Sequence, residues 1–201
     1  FTFGQIVEQW DELLPNSFTN EIFLTHVWQN IWWRKFGSGT KPQLFGLIEN
    51  SRLIGLAPLL KQYETITFIG GTDLFDYHDF VVMVGKEELF YEKLPELIQD
   101  IGFGILDLKS IPENSPTLEL LSPNLRKIGI DVETSKEDVA PFLKLQGTWE
   151  QYLAGLNKKN RHEINRKMRR LGSSGSYAHE ICDQPDVHPT CMDDFIRLMK
   201  L

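Results

Sequence analysis

The run Gln43-Leu44-Phe45-Gly46-Leu47-Ile48-Glu49, the pair Asn50-Ser51 and the run Arg52-Leu53-Ile54-Gly55-Leu56-Ala57-Pro58-Leu59-Leu60 decide the fold class of this chain. Two apolar runs around a two-residue polar turn signal a β-hairpin, with Asn-Ser a weaker turn pair than Asn-Gly. Working outward, Thr65 to Ile69 and Asp79 to Val84 read as further strands, and Ile105 to Leu108 as another after Gly102 and Gly104. Ile130 to Glu133, Pro141 to Leu145 and Tyr177 to Cys182 carry the same signal.

Helical patterns lie between these strands. Residues 5–14 read as an amphipathic helix ending at Pro15. Thr25 caps a helix running to about Phe36, in which Trp28 and Trp32 stand i, i+4. Lys86 to Ile101 is helical by pattern, and Ser115-Pro116 opens a helix to about Ile128 with Pro at the first helical position. Thr148 caps a long helix from Glu150 to Leu171, which Gly172-Ser173-Ser174-Gly175-Ser176 breaks; a last helix runs from about Pro189. The expected class is α/β (α+β): a mixed, largely antiparallel sheet flanked by helices.

Composition is that of an ordinary globular chain: 201 residues, 41 % hydrophobic and 24 % charged. The longest apolar runs are far shorter than the about 20 residues that cross a bilayer, and no charged-then-apolar leader is visible at Phe1, so no secretion signal is expected. Cys182 and Cys191 have neither CxxC nor zinc spacing and read as free thiols, which points to a cytoplasmic location. The last helix stops uncapped at Leu201, so a longer natural chain is expected.

The most charged stretch is Asn157 to Arg170, with seven Lys/Arg against one Glu. Its formal charge of +6, within a chain of −7, leaves −13 for the rest. A cationic element on an acidic body marks a dock for an anionic partner, the plain alternative being a solvated helix face. Lys158, Arg161 and Asn165 share one helix face at i, i+3 and i+7, with His162 and Arg169 on adjacent turns. Arginine forks and lysine point charges suit phosphate oxygens. Candidate partners are a nucleotide-sugar diphosphate, a polyprenyl phosphate, acyl-CoA, tRNA or an anionic membrane surface. The helix has no interleaved aromatics of the kind that stack single-stranded nucleic acid, and DNA is not expected.

A second constellation is Phe68-Ile69-Gly70-Gly71-Thr72-Asp73-Leu74-Phe75-Asp76-Tyr77-His78-Asp79-Phe80. It sets three carboxylates, a Tyr and a His between two strands behind a Gly-Gly turn. Asp76 or Asp79 is a candidate proton acceptor for an amine or hydroxyl nucleophile, and His78 one near neutral pH; Tyr77 is a candidate substrate contact. The alternatives are an Asx-type turn and a metal set of Asp73, Asp76, His78 and Asp79. That set matches no established loop, so no metal is expected. The Trp28/Trp32/Trp33 cluster with His26 reads as core packing before it reads as a sugar platform. P-loop, strand-linked GxGxxG, HExxH and GxSxG patterns are all absent, and no [QR]xxGx[GA] match stands in a loop ahead of a helix: that at Arg52 to Ala57 falls inside the second apolar run of the hairpin.

Four segments together resemble a known family: Leu24-Thr25-His26-Val27-Trp28-Gln29-Asn30-Ile31-Trp32-Trp33, Gly55-Leu56-Ala57-Pro58-Leu59, the Gly70 to Phe80 segment, and Leu156-Asn157-Lys158-Lys159-Asn160-Arg161-His162-Glu163-Ile164. They resemble the CelD-like acetyltransferases of bacterial cellulose and exopolysaccharide biosynthesis, which are GNAT-like and related to the FemAB peptidyltransferases. The resemblance implies the N-terminal half of a tandem GNAT-like protein. Residues 1–145 would form a degenerate first domain, and 146–201 a basic linker helix with the start of the second. It implies transfer of an acyl group from acyl-CoA (acetyl-CoA), bound outside this chain, to an amine or hydroxyl of an exopolysaccharide or cell-envelope precursor. On that view Arg161 with Lys158 holds a phosphate, and Asp76 or Asp79 lies near the acceptor. The alternatives are a non-catalytic acceptor-binding module and an aminoacyl-tRNA-dependent transferase.

Overall fold

The hairpin forms as the sequence predicts. In a computed structural model describing residues 1–71, 73–145, 147–175, 181 and 188–200, strand β1 (Lys41–Glu49) pairs antiparallel with β2 (Arg52–Gln62). The turn residues Asn50 and Ser51 have φ of 49° and 65°, the left-handed pair of a hairpin turn that matches strand twist. Ile54 is the extra residue of a bulge, since Leu47 pairs with Gly55 and Ile48 with Leu53.

That bulge resets the inward parity of β2. Leu53, Leu56 and Leu60 join the cluster built on α1 (Val7–Leu13) and α2 (His26–Phe36). Ala57 and Leu59 join the cluster built on α3 (Glu87–Ile101) and α4 (Pro116–Lys127). Eight consecutive residues of β2 are buried, as in a central strand covered on both faces. Its second edge is shared: β3 (Thr65–Phe68) pairs antiparallel with its C-terminal half and β4 (Val81–Val82) with Gly55 and Leu56. Strand β5 (Ile105–Asp107) adds to β3 in parallel. The fold is α+β, a mostly antiparallel sheet flanked by helices.

Local chemistry explains the ends. Thr25 accepts the Trp28 N–H, Ser115 accepts the Thr117 N–H, and the Lys61 ammonium donates to the Ile101 and Gly102 carbonyls at the C-terminus of α3. Gly55 lets α3 approach β2, because a Cβ there would overlap the Phe90 ring.

Four expected elements are corrected. Ile130 to Glu133 is not a strand: Ile130 and Val132 pack against the α3–α4 cluster with no ladder partner, which leaves alternation without pairing. Pro141 to Leu145 is not a strand either. The single helix from Glu150 to Leu171 is two helices, α5 (Trp149–Gly155) and α6 (Lys158–Ser173). Leu156 and Asn157 between them are extended, and the Asn157 side chain accepts the Asn160 N–H to start α6 anew. The strand from Asp79 to Val84 shortens to Val81–Val82. The strand expected over Tyr177 to Cys182 lies outside the described residues, apart from Ile181.

The chain forms two units, Phe1–Pro141 and Phe142–Leu201. The second holds α5, α6 and α7 (His188–Met199). Cys191 is disulfide-bonded, which corrects its reading as a free thiol; Cys182 lies outside the described residues. No helix of the described residues is long and apolar enough to cross a membrane.

Candidate functional site

The sequence-predicted residues fall into two sets, one belonging to each unit. In the first unit, the segment after β3 turns at Gly70, whose φ is 141°, and a Cβ there would overlap the His78 imidazole. Phe75 then anchors the segment. Its ring lies 6.3 Å from Trp28 and 6.2 Å from Trp32, edge-on to both, and 4.6 Å from His78 in a stack. This packing sets which side chains of the acidic segment face inward. Phe75, His78 and Asp79 are buried, Tyr77 is half-buried, and Asp73, Leu74 and Asp76 are exposed.

Asp79 is 1 % exposed. Its Oδ2 accepts from Thr19 Oγ1 at 2.7 Å and Ser115 Oγ at 2.6 Å; its Oδ1 accepts from the Phe80 N–H at 2.9 Å and from Thr117 Oγ1. Since the Thr117 hydroxyl gives its proton to Asp79, the Tyr91 hydroxyl must donate to Thr117. Burial pushes the Asp79 carboxyl above its usual range, while the Ser115, Thr117 and Thr19 hydroxyls and the Phe80 N–H pull it back. Burial, with the nearby Asp79 charge, also pushes the Tyr91 phenol up.

His78 is 3 % exposed and lies nearly parallel to Phe68 and Phe75. Burial lowers its pKa to about 4, so the imidazole is neutral at pH 7. The Lys109 backbone lies near enough to oppose that shift. Neither ring nitrogen, however, meets hydrogen-bond geometry with a partner among the described residues.

The expectation that Asp79 or His78 serves as general base therefore meets a geometric obstacle. Asp79 spends its lone pairs on four internal donors, and His78 is sealed between aromatic rings. A base must reach the proton that it takes, and of the three candidates only Asp76 stands in solvent. The metal set is dispersed in the same way, with Asp73 and Asp76 outside and His78 and Asp79 inside. No group of three or more His, Cys, Asp or Glu side chains able to hold a metal occurs among the described residues. The tryptophans read as core residues do pack inward in part: Trp33 stacks on Phe3 and Trp32 meets Phe75 edge-on, while His26 Nδ1 meets Asp11 Oδ1 at 2.8 Å.

Sequence reading missed Thr19, Thr117 and Tyr91, and took Ser115 only as a cap. Hydroxyls have no periodic signature, and the Asp79 partners lie 36 to 60 residues away.

In the second unit, α6 exposes Lys158, Lys159, Arg161, His162, Asn165, Arg169 and Arg170. Arg161 donates to the Leu156 carbonyl at 3.1 Å and so closes the α5–α6 joint. Arg169 Nε donates to the Asn165 carbonyl at 3.3 Å. Arg166 forks onto Glu163 at 2.9 and 2.7 Å and holds that carboxyl below its usual range. Lys158 and Lys159 have no ion-pair or hydrogen-bond partner among the described residues, and the first turn of α6 holds no acid. Cations there oppose the helix dipole, whose positive end favours anions.

No family model matches the chain, and neither a curated protein nor a solved structure matches it.

Proposed function

We propose that this chain belongs to a GNAT-like, FemAB-related acyltransferase and that α6 is its anion anchor. One observation carries the anchor: Lys158 and Lys159, without an ion-pair or hydrogen-bond partner among the described residues, at the positive end of an exposed helix that also carries Arg161, Arg169 and Arg170. Such a turn is stabilised by a bound phosphate and destabilised without one. The transfer chemistry rests on the family resemblance. An amine or hydroxyl attacks the thioester carbonyl, its proton passes to a carboxylate, the C–S bond breaks, and that proton returns to the departing sulfur, so that CoA leaves as the thiol. Asp76 is the exposed carboxylate available for that proton. The acceptor would be a phosphate-bearing exopolysaccharide or cell-envelope precursor in the cytoplasm.

The burial of Asp79 and His78 favours a second reading, a non-catalytic module that only binds its ligand. Calorimetric titration with acetyl-CoA, CoA and a UDP-sugar tests the anchor, using the chain and its Lys158→Ala/Arg161→Ala variant. Saturable binding that weakens at least tenfold in the variant supports it; no binding of any of these anions refutes it. Acyl transfer that survives Asp76→Ala would remove Asp76 from the chemistry.

A further inference from the structure

The cations of α6 are not spread around the helix. At 3.6 residues per turn, Ile164, Met168 and Leu171 form one face. Lys158, Lys159, His162, Arg166, Arg169 and Arg170 occupy a sector of roughly 120° opposite it. Arg161 and Lys167 flank the apolar face instead, and Arg161 is turned back onto the Leu156 carbonyl. From Lys158 to Arg170 the stripe runs about 18 Å, with a basic or imidazole group on every turn, about 5.4 Å apart.

This arrangement costs the helix stability. Arg166 stands i+3 and i+4 from Arg169 and Arg170, like-charge spacings that destabilise. Glu163 is the sole acid of α6 and is taken by Arg166. The second unit carries ten Lys/Arg against seven Asp/Glu and the first eleven against twenty-one, so a polyanion is attracted to the second alone.

A single phosphate needs one turn of this stripe; three turns suit a ligand that repeats its negative charge. We infer that α6 tracks the phosphodiester backbone of a double-stranded nucleic acid, without reading its sequence. A duplex offers regularly spaced phosphates and no free base face. The stripe matches that, having cations along its length and no Phe, Tyr or Trp for stacking. DNA and RNA duplexes share this chemistry. The inference builds on α6 as an anion anchor and replaces a small ligand with a polymeric one.

The test is fluorescence anisotropy of the full chain with a labelled DNA duplex and the matching RNA duplex, titrated across salt concentrations. Saturable binding is expected, with log K falling against log[salt] at a slope of about −4 for four contacting cations. Lys159→Ala with Arg170→Ala should weaken binding at least tenfold and flatten the slope by about 2. Lys167→Ala, off the stripe, should stay within about twofold. Alanine favours helix, and circular dichroism of each variant checks that α6 persists. Binding to one duplex type alone supports the inference and names the source. Failure of both duplexes, preference for an acidic glycan or anionic vesicles, or insensitivity to the Lys159/Arg170 pair would overturn it. Binding of CoA or a UDP-sugar as tight as that of the duplexes would overturn it too, leaving the anchor itself standing. Binding of no anion at all would sink both.

Discussion

Replacing Asp79 by alanine should cost the fold about 3–5 kcal/mol, the usual loss when one member of a buried charged network is removed. Four donors converge on this carboxylate from three places: Thr19 before α2, the Phe80 N–H beside β4, and Ser115 and Thr117 at the start of α4. Summing about 1.5–3 kcal/mol for each charged hydrogen bond would overshoot, because the variant also escapes the cost of burying the charge. What remains is the desolvation of three hydroxyls and one N–H left without an acceptor. Asp79→Asn keeps one acceptor oxygen but presents an NH2 to two hydroxyls, and should lose about 2–3 kcal/mol. Urea unfolding followed by tryptophan fluorescence measures both, with exposed Asp76→Ala as a control expected within about 0.5 kcal/mol. A loss below about 1 kcal/mol for Asp79→Ala would refute the assignment of this network as the tie between β4 and α4.

The buried imidazole gives a pH signature. The folded pKa of His78, about 4, lies below the unfolded value of 6.5, so protonation favours the unfolded chain. Its contribution is fully present above pH 6.5 and is lost as the pH falls through that window towards 4, by about 3 kcal/mol in all. His78→Phe should remove that part of the acid sensitivity, read as the difference in urea midpoints between pH 7 and pH 5; equal pH dependence in the two proteins would contradict the burial argument. Gly55→Ala should lower stability by about 1–3 kcal/mol through overlap with Phe90. Gly4→Ala, where a Cβ meets nothing within 4 Å, is the control in the same urea unfolding assay.

The elements that sequence reading located are those whose signal is local. The β1–β2 hairpin carries its pattern and its turn in one unbroken stretch, and α2 with its Thr25 cap and α4 with Ser115-Pro116 each carry theirs within about a dozen residues. The errors have local causes as well. Ile130 and Val132 alternate because both face a helical core, and alternation does not distinguish that from a paired strand. The run from Glu150 to Leu171 keeps helical periodicity across Gly155 and Asn157, yet Asn157 spends its side chain on a new N-terminus.

The acidic segment marks where sequence stops. By itself the chain determined that strands and helices are mixed in one chain, that cations concentrate between Lys158 and Arg170, and that Asp73, Asp76, His78 and Asp79 stand close together in sequence. These are properties of composition and short-range period. Only the tertiary structure decided that Asp76 faces solvent while Asp79 and His78 turn inward. That choice is made by Phe75 on the α2 tryptophans and by hydroxyls up to 60 residues away. The physical reason is that burial and hydrogen-bond partners belong to contacts distant in sequence, and they set whether a carboxylate binds a ligand or holds the fold together.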